Sequence, residues 1–285
     1  MITIFTPTYN RAYILPKLYE SLCLQTNKDF EWLVVDDGST DKTYELLKKW
    51  QTENKIAINA IHRENGGKST AINLGVQNAK GKLFFIVDSD DFVTADAVEK
   101  ICEAEKEHEK KLLHDEIAFS VAGYCYRKSN YRTGTVIASS DSPLPEAASS
   151  LELAFKYGMD GDKAEVFYTE VLKNFPFPEI PNNKFVPEAL VWYRIAATGY
   201  KLIIKDDAIY QCDYIADGYT KNFKKNLRTN CRGFALFYKE CLGYKEIPIL
   251  VKVKFFIRFL QCKWYEVKKI TCFQSVVGGM IYGRS

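Results

Sequence analysis

The segment GKLFFIVDSDDF, residues 81–92, places an unbroken apolar run directly before a group of carboxylates. A run this rich in Phe, Ile and Val indicates a central strand that is buried on both faces. Asp88, Asp90 and Asp91 would repel one another at the end of that strand unless a cation or a hydrogen-bonding ligand lies among them. Mg²⁺ and Mn²⁺ take oxygen ligands and are often held by one or two carboxylates together with phosphates. The alternative is that residues 88–91 only cap the next helix.

The regions around this segment alternate between strand and helix patterns. Apolar and β-branched runs predict strands at 2–6, 30–35 and 56–61, and apolar residues at helical spacing predict helices at 12–25, 43–50 and 69–78. This alternation predicts a parallel, doubly wound α/β sheet with right-handed crossovers. Such sheets bind ligands at the carboxyl ends of their strands. Those ends are four polar clusters, at residues 6–10, 36–39, 65–68 and 88–91.

Charge is distributed unevenly along the chain. Its 285 residues are 47% hydrophobic and 26% charged, which is ordinary for a soluble protein with one large domain or a domain with an appendage. Residues 1–220 contain 25 Lys and Arg against 33 Asp and Glu, whereas residues 221–285 contain 14 against 3. The basic, aromatic C-terminal quarter therefore predicts an anionic partner for that part of the chain.

Cysteine usage bears on the compartment. The eight cysteines form no CxxC pair and are scattered through apolar or helical patterns, as buried free thiols would be. With no cleavable signal pattern at Met1, this usage predicts a reducing, cytoplasmic location. No run approaches the roughly 18 apolar residues that a membrane-spanning helix needs, so an integral membrane helix is not expected.

Two common nucleotide-binding motifs do not fit. Residues 66–70, GGKST, resemble the end of a phosphate-binding P-loop, but that loop requires a glycine where this chain has His62. No GxGxxG follows the first predicted strand, which argues against a dinucleotide-binding enzyme.

The four strand-end clusters instead carry a family resemblance. TPTYN (6–10), VVDDGSTD (34–41), NGGK (65–68) and VDSDD (87–91) resemble, in order and spacing, the successive motifs of glycosyltransferase family 2. The resemblance covers roughly residues 1–95 and implies a GT-A fold, with a mostly parallel doubly wound sheet and a helical, basic C-terminal extension. It also implies transfer of a sugar from a nucleotide diphosphate donor with inversion at the anomeric carbon.

The resemblance implies roles in binding the donor nucleoside. Pro7, Thr8 and Tyr9 would lie against the base and ribose. Asp37 would accept a hydrogen bond from the pyrimidine N–H, which favours uracil because an ionised carboxylate only accepts. The alternative for Asp36 and Asp37, above all for Asp36, is a turn that starts a helix.

Further roles are implied near the donor diphosphate. Lys68 would lie close to the phosphates and Asn65 would shape its loop, although Lys68 could equally be a solvated lysine in the first turn of a helix. Asp88 and Ser89 would contact the nucleotide sugar, with Asp88 at the ribose. Asp90, with Asp88 beside it, would bind the Mg²⁺ or Mn²⁺ that bridges the phosphates. Asp91 would cap or orient its neighbours.

Glu188 is the candidate general base. In the family, an acid at the start of a helix is followed at fixed spacing by an aromatic residue and Arg, and Glu188, Trp192 and Arg194 fit that pattern. Inversion requires one direct displacement, so the acceptor hydroxyl must lose its proton as it attacks, and a single carboxylate can accept it. The alternative is that Glu188 only begins the helix 189–197 and pairs with Arg194.

Residues 96–220 would form the acceptor half of a domain that spans residues 1–220. Strands are predicted at 117–126 and 133–137, with residues 127–132 as the turn between them, and residues 161–167 begin another edge strand. Asp160 and Asp162, which precede Glu188 in the chain, are weaker candidates for the base.

Residues 221–285 form the predicted C-terminal extension. Between 247 and 265, aromatic and aliphatic residues alternate with Lys and Arg, which suits a helix lying on an anionic membrane surface. A helical hairpin that packs on its own domain, or on a second copy in a homodimer, is about as well supported by composition.

Together these assignments predict an inverting, metal-dependent hexosyltransferase. It would move a sugar from a nucleotide donor, with UDP favoured, to a glycan or lipid-linked acceptor in surface polysaccharide synthesis, at the inner face of the plasma membrane. The alternative is a non-catalytic nucleotide-sugar-binding or scaffold protein with the same fold, but the presence of Asp88, Asp90 and Glu188 favours an enzyme. Nucleic-acid binding by the basic tail is not expected, because the tail lacks a recognisable module and is too apolar.

Overall fold

A computed structural model describes residues 1–114, 118–137, 140, 143–159, 161–213 and 222–282, with the side chains of the last helix described to residue 269. The strands are β1 Ile2–Thr8, β2 Phe30–Asp36, β3 Ile58–His62, β4 Leu83–Ile86, β5 Phe92–Val93, β6 Val121–Asn130, β7 Ala147–Ala148, β8 Ala164–Tyr168 and β9 Lys201–Cys212. The helices are α1 Leu15–Cys23, α2 Thr43–Glu53, α3 Lys68–Asn78, α4 Ala97–Leu113, α5 Ser150–Phe155, α6 Thr169–Asn174, α7 Ala189–Ala197, α8 Phe223–Thr229, α9 Cys231–Cys241 and α10 Ile249–Tyr282.

The described strands form one mixed sheet in the order β3-β2-β1-β4-β8-β6-β9-β5, and β7 pairs with β9. The first four strands in this order are parallel and are connected by helices, as their sequence pattern predicts. Beyond β4 the sheet changes character, because β8 is antiparallel to both β4 and β6, whereas β6 and β9 are parallel. The carboxyl ends of β1, β2 and β4 therefore share one edge.

The centre of the sheet is formed by the apolar runs. All seven residues of β2 are buried, and Phe84 and Phe85 of β4 are fully buried between two layers of helices. Phe5 stacks on Phe84 with ring centroids 5.0 Å apart. The helix α3 packs closely on this layer, because a Cβ atom at Gly75 would lie 2.2 Å from the Phe5 ring. This packing fixes where α3 begins, at Lys68.

Two predictions for the second half of the sheet are wrong. The strand β6 continues to Asn130, so residues 127–130 are not a turn, and Val136 forms only an isolated bridge with Ser129. The polar residues of this stretch stay in the strand because they pair with residues 208–212 of β9. The predicted edge strand is instead internal: β8 is hydrogen-bonded on both sides, and Val166 and Phe167 are buried. Ile117 lies outside the described residues.

The C-terminal helices pack on α7 and on the loop that precedes it. Arg194 of α7 forms two ion-paired hydrogen bonds with Glu240 of α9, at 2.9 and 2.7 Å. Gly233 of α9 lies so close to the backbone of Phe185 that a Cβ atom there would be 2.4 Å from the Phe185 carbonyl oxygen. One face of α10 covers α9, and Cys262 on that face is fully buried. Over the described residues, no helix has both the length and the apolar content that crossing a membrane requires.

Candidate functional site

A single cavity of about 830 Å³ lies at the shared strand edge and extends towards α5 and α7. Its volume is within the usual range for a small-molecule site. All ten residues predicted for the site line this cavity: Pro7, Thr8, Tyr9, Asp37, Asn65, Lys68, Asp88, Ser89, Asp90 and Glu188. The chain thus brings together side chains that are dispersed from its first strand to the loop before α7.

The loops after β1 and β2 are tied to each other. The Asn10 Oδ1 atom accepts a hydrogen bond from the Thr40 backbone N–H at 2.8 Å, and the Ser39 hydroxyl accepts one from the Asn10 N–H at 2.8 Å. Beside this connection, the Thr8 hydroxyl is buried and has no hydrogen-bond partner among the described residues. A buried hydroxyl without a partner in the wall of a cavity is available to a ligand.

Asp36 is the last residue of β2 and does not start a helix, because α2 begins only at Thr43. Its carboxylate is fully buried, accepts a hydrogen bond from the Ser39 N–H at 3.1 Å and lies 2.9 Å from the His62 Nδ1 atom. These contacts occupy both carboxylate oxygens within the turn between β2 and α2. Asp36 does not line the cavity.

Asp37 organises the glycine loop that precedes α3. One carboxylate oxygen accepts a hydrogen bond from the Gly66 N–H at 3.0 Å and the other from the Gly67 N–H at 2.7 Å. The Arg63 Nε atom lies 3.0 Å from the first oxygen. Gly67 has φ +97°, and a Cβ atom there would lie 2.1 Å from the Lys184 carbonyl oxygen, so glycine is required at this position. Asp37 therefore has a structural role in addition to its place in the cavity wall.

Lys68 connects two opposite walls of the cavity. Its Nζ atom lies 2.6 Å from Asp88 Oδ1 and 2.8 Å from Glu188 Oε1, and its side chain is only 17% exposed. The alternative of a solvated lysine is therefore wrong. Burial alone would lower the pKa of Lys68, but the charges of Asp88 and Glu188 raise it well above its ordinary value. Burial would likewise raise the pKa of Asp88, but Lys68 and then Lys128 lower it, so Asp88 is held ionised.

The acidic cluster after β4 does not cap a helix. The next helix, α4, begins only at Ala97, and the short strand β5 intervenes. The Tyr210 hydroxyl of β9 accepts a hydrogen bond from the Asp88 N–H at 3.0 Å and donates one to Asp91 Oδ2 at 2.8 Å. Burial, together with the charges of Asp88 and Asp90, raises the pKa of Asp91 to about 7. Tyr210 of β9 thus orients Asp88 and Asp91 through these two hydrogen bonds. Its position in an apolar strand pattern did not indicate this role.

Asp90 is the carboxylate of this cluster that is free for a cation. It makes no hydrogen bond or ion pair with a described side chain, and burial and then the charge of Asp88 raise its pKa. The described residues contain no group of three or more His, Cys, Asp or Glu side chains arranged to hold a metal ion. However, Mg²⁺ and Mn²⁺ are commonly bound through one or two carboxylates plus phosphate oxygens. The donor set of Asp88 and Asp90 fits a cation of this kind if a diphosphate supplies further oxygens.

Glu188 lies across Lys68 from Asp88. It stands immediately before α7, but its side chain makes no capping hydrogen bond, and Arg194 pairs with Glu240 rather than with Glu188. One part of the structural alternative is therefore confirmed, because Glu188 begins α7 and its backbone carbonyl oxygen accepts hydrogen bonds from the Val191 and Trp192 N–H groups. The other part, the pairing with Arg194, is wrong. Trp192, from the same motif, is buried and stacks on Phe167 with ring centroids 4.3 Å apart.

Sequence reasoning missed several charged residues of the cavity. Arg11, Lys128, Lys163, Glu165 and Lys184 also line it. Lys128 was assigned to a turn, and Glu165 belongs to a strand whose partners are distant in sequence, so no local signal indicated either. Asp162, a weaker candidate for the base, lines the cavity but is exposed, and Asp160 lies outside the described residues.

The substitution Asp37→Asn should destabilise the folded protein by about 1–3 kcal/mol. The amide nitrogen that replaces one oxygen cannot accept, so the N–H of Gly66 or Gly67 loses its partner. Urea unfolding would measure this change, with the exposed Glu64→Gln on the same loop as the control, expected within about 0.5 kcal/mol of wild type. Equal stability of the two variants would contradict the role assigned to Asp37.

Comparison with known proteins places the chain in a family. Residues 3–133 match the family model described as Glycosyl transferase family 2. A segment of 100 residues, 35% of this chain, is 41% identical to the glycosyltransferase GlyA of Streptococcus pneumoniae serotype 4. That segment covers only 14% of GlyA, so this chain corresponds to a small part of that relative.

Solved structures share the fold. The crystal structure of S. aureus TarS 1-349 in complex with UDP-GlcNAc has a TM-score of 0.63 and 19% identity, covering 92% of this chain and 72% of that one. The mannosyltransferase PcManGT from Pyrobaculum calidifontis, in complex with GDP-Man and Mn²⁺, has a TM-score of 0.58 and 18% identity, covering 100% of this chain and 76% of that one. The expected GT-A fold is thus confirmed. Residues 3–133, which include all four strand-end motifs, thus carry the match to glycosyl transferase family 2.

Proposed function

We propose that this chain is an inverting, metal-dependent glycosyltransferase that moves a hexose from a nucleotide diphosphate, with UDP favoured, to a glycan or lipid-linked acceptor in surface polysaccharide synthesis. The observation that carries the proposal is the Lys68 ammonium, which lies between Asp88 at 2.6 Å and Glu188 at 2.8 Å inside one cavity. The acid proposed for the donor side, Asp88, and the candidate base, Glu188, thus lie on either side of one ammonium group in the same cavity. The family match and the fold shared with a UDP-GlcNAc complex of TarS support the same function.

The nucleoside would bind at the end of the cavity formed by the loops after β1 and β2. Pro7, Thr8 and Tyr9 would lie against the base and ribose, and the unpartnered Thr8 hydroxyl is a ready hydrogen-bonding group for them. Asp37 would accept the pyrimidine N–H with lone pairs left over from its two backbone contacts. Asn65 and Ser89, which line the same cavity, would complete the contacts with the nucleotide sugar.

Asp90 and Asp88 would hold a Mg²⁺ or Mn²⁺ ion, which is supported by their place in the cavity wall and by the lack of a side-chain partner for Asp90 among the described residues. When bound, such an ion stabilises the negative charge that develops on a departing diphosphate. The Mn²⁺ bound to the structurally similar PcManGT belongs to that protein and is consistent with this assignment.

Glu188 would accept the proton of the acceptor hydroxyl as that hydroxyl attacks. Its carboxylate is paired with Lys68, which keeps it close to the proposed donor side of the cavity. A donor phosphate that draws the Lys68 ammonium towards itself would release Glu188 from this ion pair and leave it free to act as the base. Lys68 would therefore couple donor binding to the readiness of the base.

The variant Glu188→Gln should lower kcat by about 10²–10⁴-fold, because an amide cannot accept the proton. UDP release in the presence of Mn²⁺ and mixed glycan acceptors would measure this rate, and the dissociation constant of UDP should stay within about twofold of wild type, since Glu188 does not contact the nucleotide. Glu179→Gln, an exposed acid on the preceding loop, is the matched control and should turn over normally. Unchanged turnover of Glu188→Gln would refute the base assignment. A wild-type protein that binds UDP-sugars without turnover would favour the non-catalytic alternative.

We propose further that residues 1–220 carry out the reaction and that residues 221–285 dock the protein on an anionic membrane, peripherally on the inner face, where lipid-linked acceptors are found. One face of α10 packs on α9, whereas the opposite face exposes a stripe of apolar side chains at three- and four-residue spacing. These side chains, each 48–76% exposed, are Ile249, Leu250, Val253, Phe256, Ile257, Leu260, Trp264 and Val267.

Basic residues flank this exposed stripe on both sides. Lys252 and Lys263 lie along one border of the helix, and Lys254 and Lys268 along the other. An apolar stripe bordered by long cationic side chains matches an interface whose core is apolar and whose surface is anionic. The charge of this surface is the reason for choosing a membrane over a second copy of the chain, because two such surfaces would repel each other.

The double variant Phe256→Glu/Ile257→Glu of the full chain should lose at least tenfold in affinity for vesicles that contain anionic phosphatidylglycerol, measured by co-sedimentation. Leu112→Glu/Leu113→Glu, two exposed leucines at the end of α4, is the matched control and should bind like wild type. Wild-type binding should also weaken with salt. Equal binding by all three proteins, or no binding by wild type, would overturn the membrane proposal. Light scattering would test the homodimer alternative. If wild type is a dimer and Phe256→Glu/Ile257→Glu is a monomer, the stripe is a dimer interface instead.

A further inference from the structure

Two charged side chains of the cavity have no role in the mechanism above. Glu165 on β8 and Lys128 on β6 line the cavity on strands that neighbour each other in the sheet. Glu165 makes no hydrogen bond or ion pair with any other side chain in the described ranges. Lys128 likewise has no carboxylate partner there, and its ammonium lies over the ring of Tyr210, 3.9 Å from the centroid. The cavity wall therefore presents one acceptor and one donor group that have no hydrogen-bond partner among the described side chains.

Both side chains are half-buried in the cavity wall, so the lack of a hydrogen-bond partner is costly for each of them. Removing a charged group from water without a compensating partner is unfavourable. Burial raises the pKa of Glu165 to about 7, against the opposing effects of Lys163 and Lys128. The Lys163 ammonium is engaged elsewhere, donating to the backbone carbonyl oxygens of Met159 at 3.2 Å and Gly161 at 3.0 Å. A ligand with both hydroxyl hydrogens and oxygen lone pairs would satisfy Glu165 and Lys128 together.

The positions of the two residues indicate which part of a substrate they reach. The Lys128 ammonium lies over the ring of Tyr210, whose hydroxyl contacts Asp88 and Asp91 at the proposed diphosphate position. Glu165 stands two residues before Phe167 on β8, and Phe167 stacks on Trp192 of α7, the helix that Glu188 begins. In a direct displacement, the attacked carbon lies between the leaving diphosphate and the base. A ring that contacts both Lys128 and Glu165 is therefore the ring attached to that carbon.

The wall around these charges suits a sugar ring. The same cavity is also lined by apolar and aromatic side chains, which are those of Ala154, Met159, Trp192 and Tyr193. Trp192 is held in place by stacking on Phe167 and by an edge contact with Phe177 at 5.9 Å between centroids. Apolar surface beside a few placed polar groups is the usual composition of a small-molecule site.

We propose that Glu165 and Lys128 hold the ring of the transferred sugar and determine which donor is accepted, an inference that rests on the proposed function. Glu165 accepts hydrogen bonds from ring hydroxyl or amide N–H groups, and Lys128 donates to ring hydroxyl or carbonyl oxygens. The substrate class is a nucleotide-linked neutral hexose or N-acetylhexosamine. A uronic acid is disfavoured, because its carboxylate would add a third negative charge beside Glu165 and Glu188.

Calorimetric titration with UDP and with UDP-sugars separates contacts with the sugar from contacts with the nucleotide. The probes are UDP, UDP-glucose, UDP-galactose, UDP-GlcNAc, UDP-GalNAc and UDP-glucuronate, each with Mn²⁺. For the neutral UDP-sugar that wild type binds best, Glu165→Gln and Lys128→Met should each raise the ratio of its Kd to the Kd of UDP at least tenfold. The Kd of UDP itself should change less than twofold for Glu165→Gln. For Lys128→Met it should rise by a smaller factor than the Kd of the UDP-sugar, because Lys128 also lies near Asp88. Retained UDP binding shows that both variants are folded. Glu170→Gln, with a side chain 81% exposed on α6, is the matched control and should leave the ratio unchanged.

Each other outcome counts against the inference. An unchanged ratio in both variants, or an equal loss of UDP and UDP-sugar affinity, would show that the residues do not contact the sugar. Tightest wild-type binding of UDP-glucuronate would overturn the substrate class. A wild-type protein that binds neither UDP nor any UDP-sugar would refute the proposed function itself, a result distinct from binding with an unchanged ratio.

Discussion

The Lys68 ammonium is bound on two sides, by Asp88 at the end of β4 and by Glu188 at the start of α7. These three residues come from separate elements, so the ion pairs hold a helix, a central strand and an acceptor-side helix around one space. A buried cation with two carboxylates satisfies its charge only while both remain in place, and removal of either partner leaves an uncompensated charge. The shape of the cavity and the position of the base candidate both depend on this one contact.

The sheet topology makes the contact feasible. Parallel strands β1, β2 and β4 bring their carboxyl ends to one edge, and the Asp37 carboxylate fixes the glycine loop that delivers Lys68 from α3. The antiparallel strand β8 then extends the sheet past β4, so that residues from the second half of the chain form the opposite wall. Arg194 and Glu240 attach α7, and with it Glu188, to the C-terminal helices. The glycine loop before α3 and the helix α7 thus have separate supports, and Lys68 joins them.

The parts of this arrangement that are predictable from sequence are those with local signals. The apolar runs of β2 and β4 and the polar clusters that follow them identified the parallel half of the sheet and the edge where the site lies. Local spacing misled where the true partners are distant: Glu188 and Arg194 share a motif, but Arg194 pairs with Glu240 and Glu188 with Lys68. Lys128 lies in a polar stretch that resembles a turn, and only the pairing of β6 with β9 keeps that stretch extended. Long-range strand pairing and shared ion pairs leave no periodic pattern in a sequence. The positions of Lys128 and Glu165 in the cavity wall were therefore not predicted.

A double-mutant cycle on the free energy of unfolding tests the central contact most directly. Lys68→Met would be combined with Glu188→Gln and, separately, with Asp88→Asn, and Lys68→Met with Glu170→Gln would serve as the non-contacting reference. The account predicts coupling energies of about 0.5–3 kcal/mol for both contacting pairs and additivity for the reference pair. Coupling within about 0.3 kcal/mol of zero for both contacting pairs would contradict it, because Lys68 would then not join the two walls of the cavity.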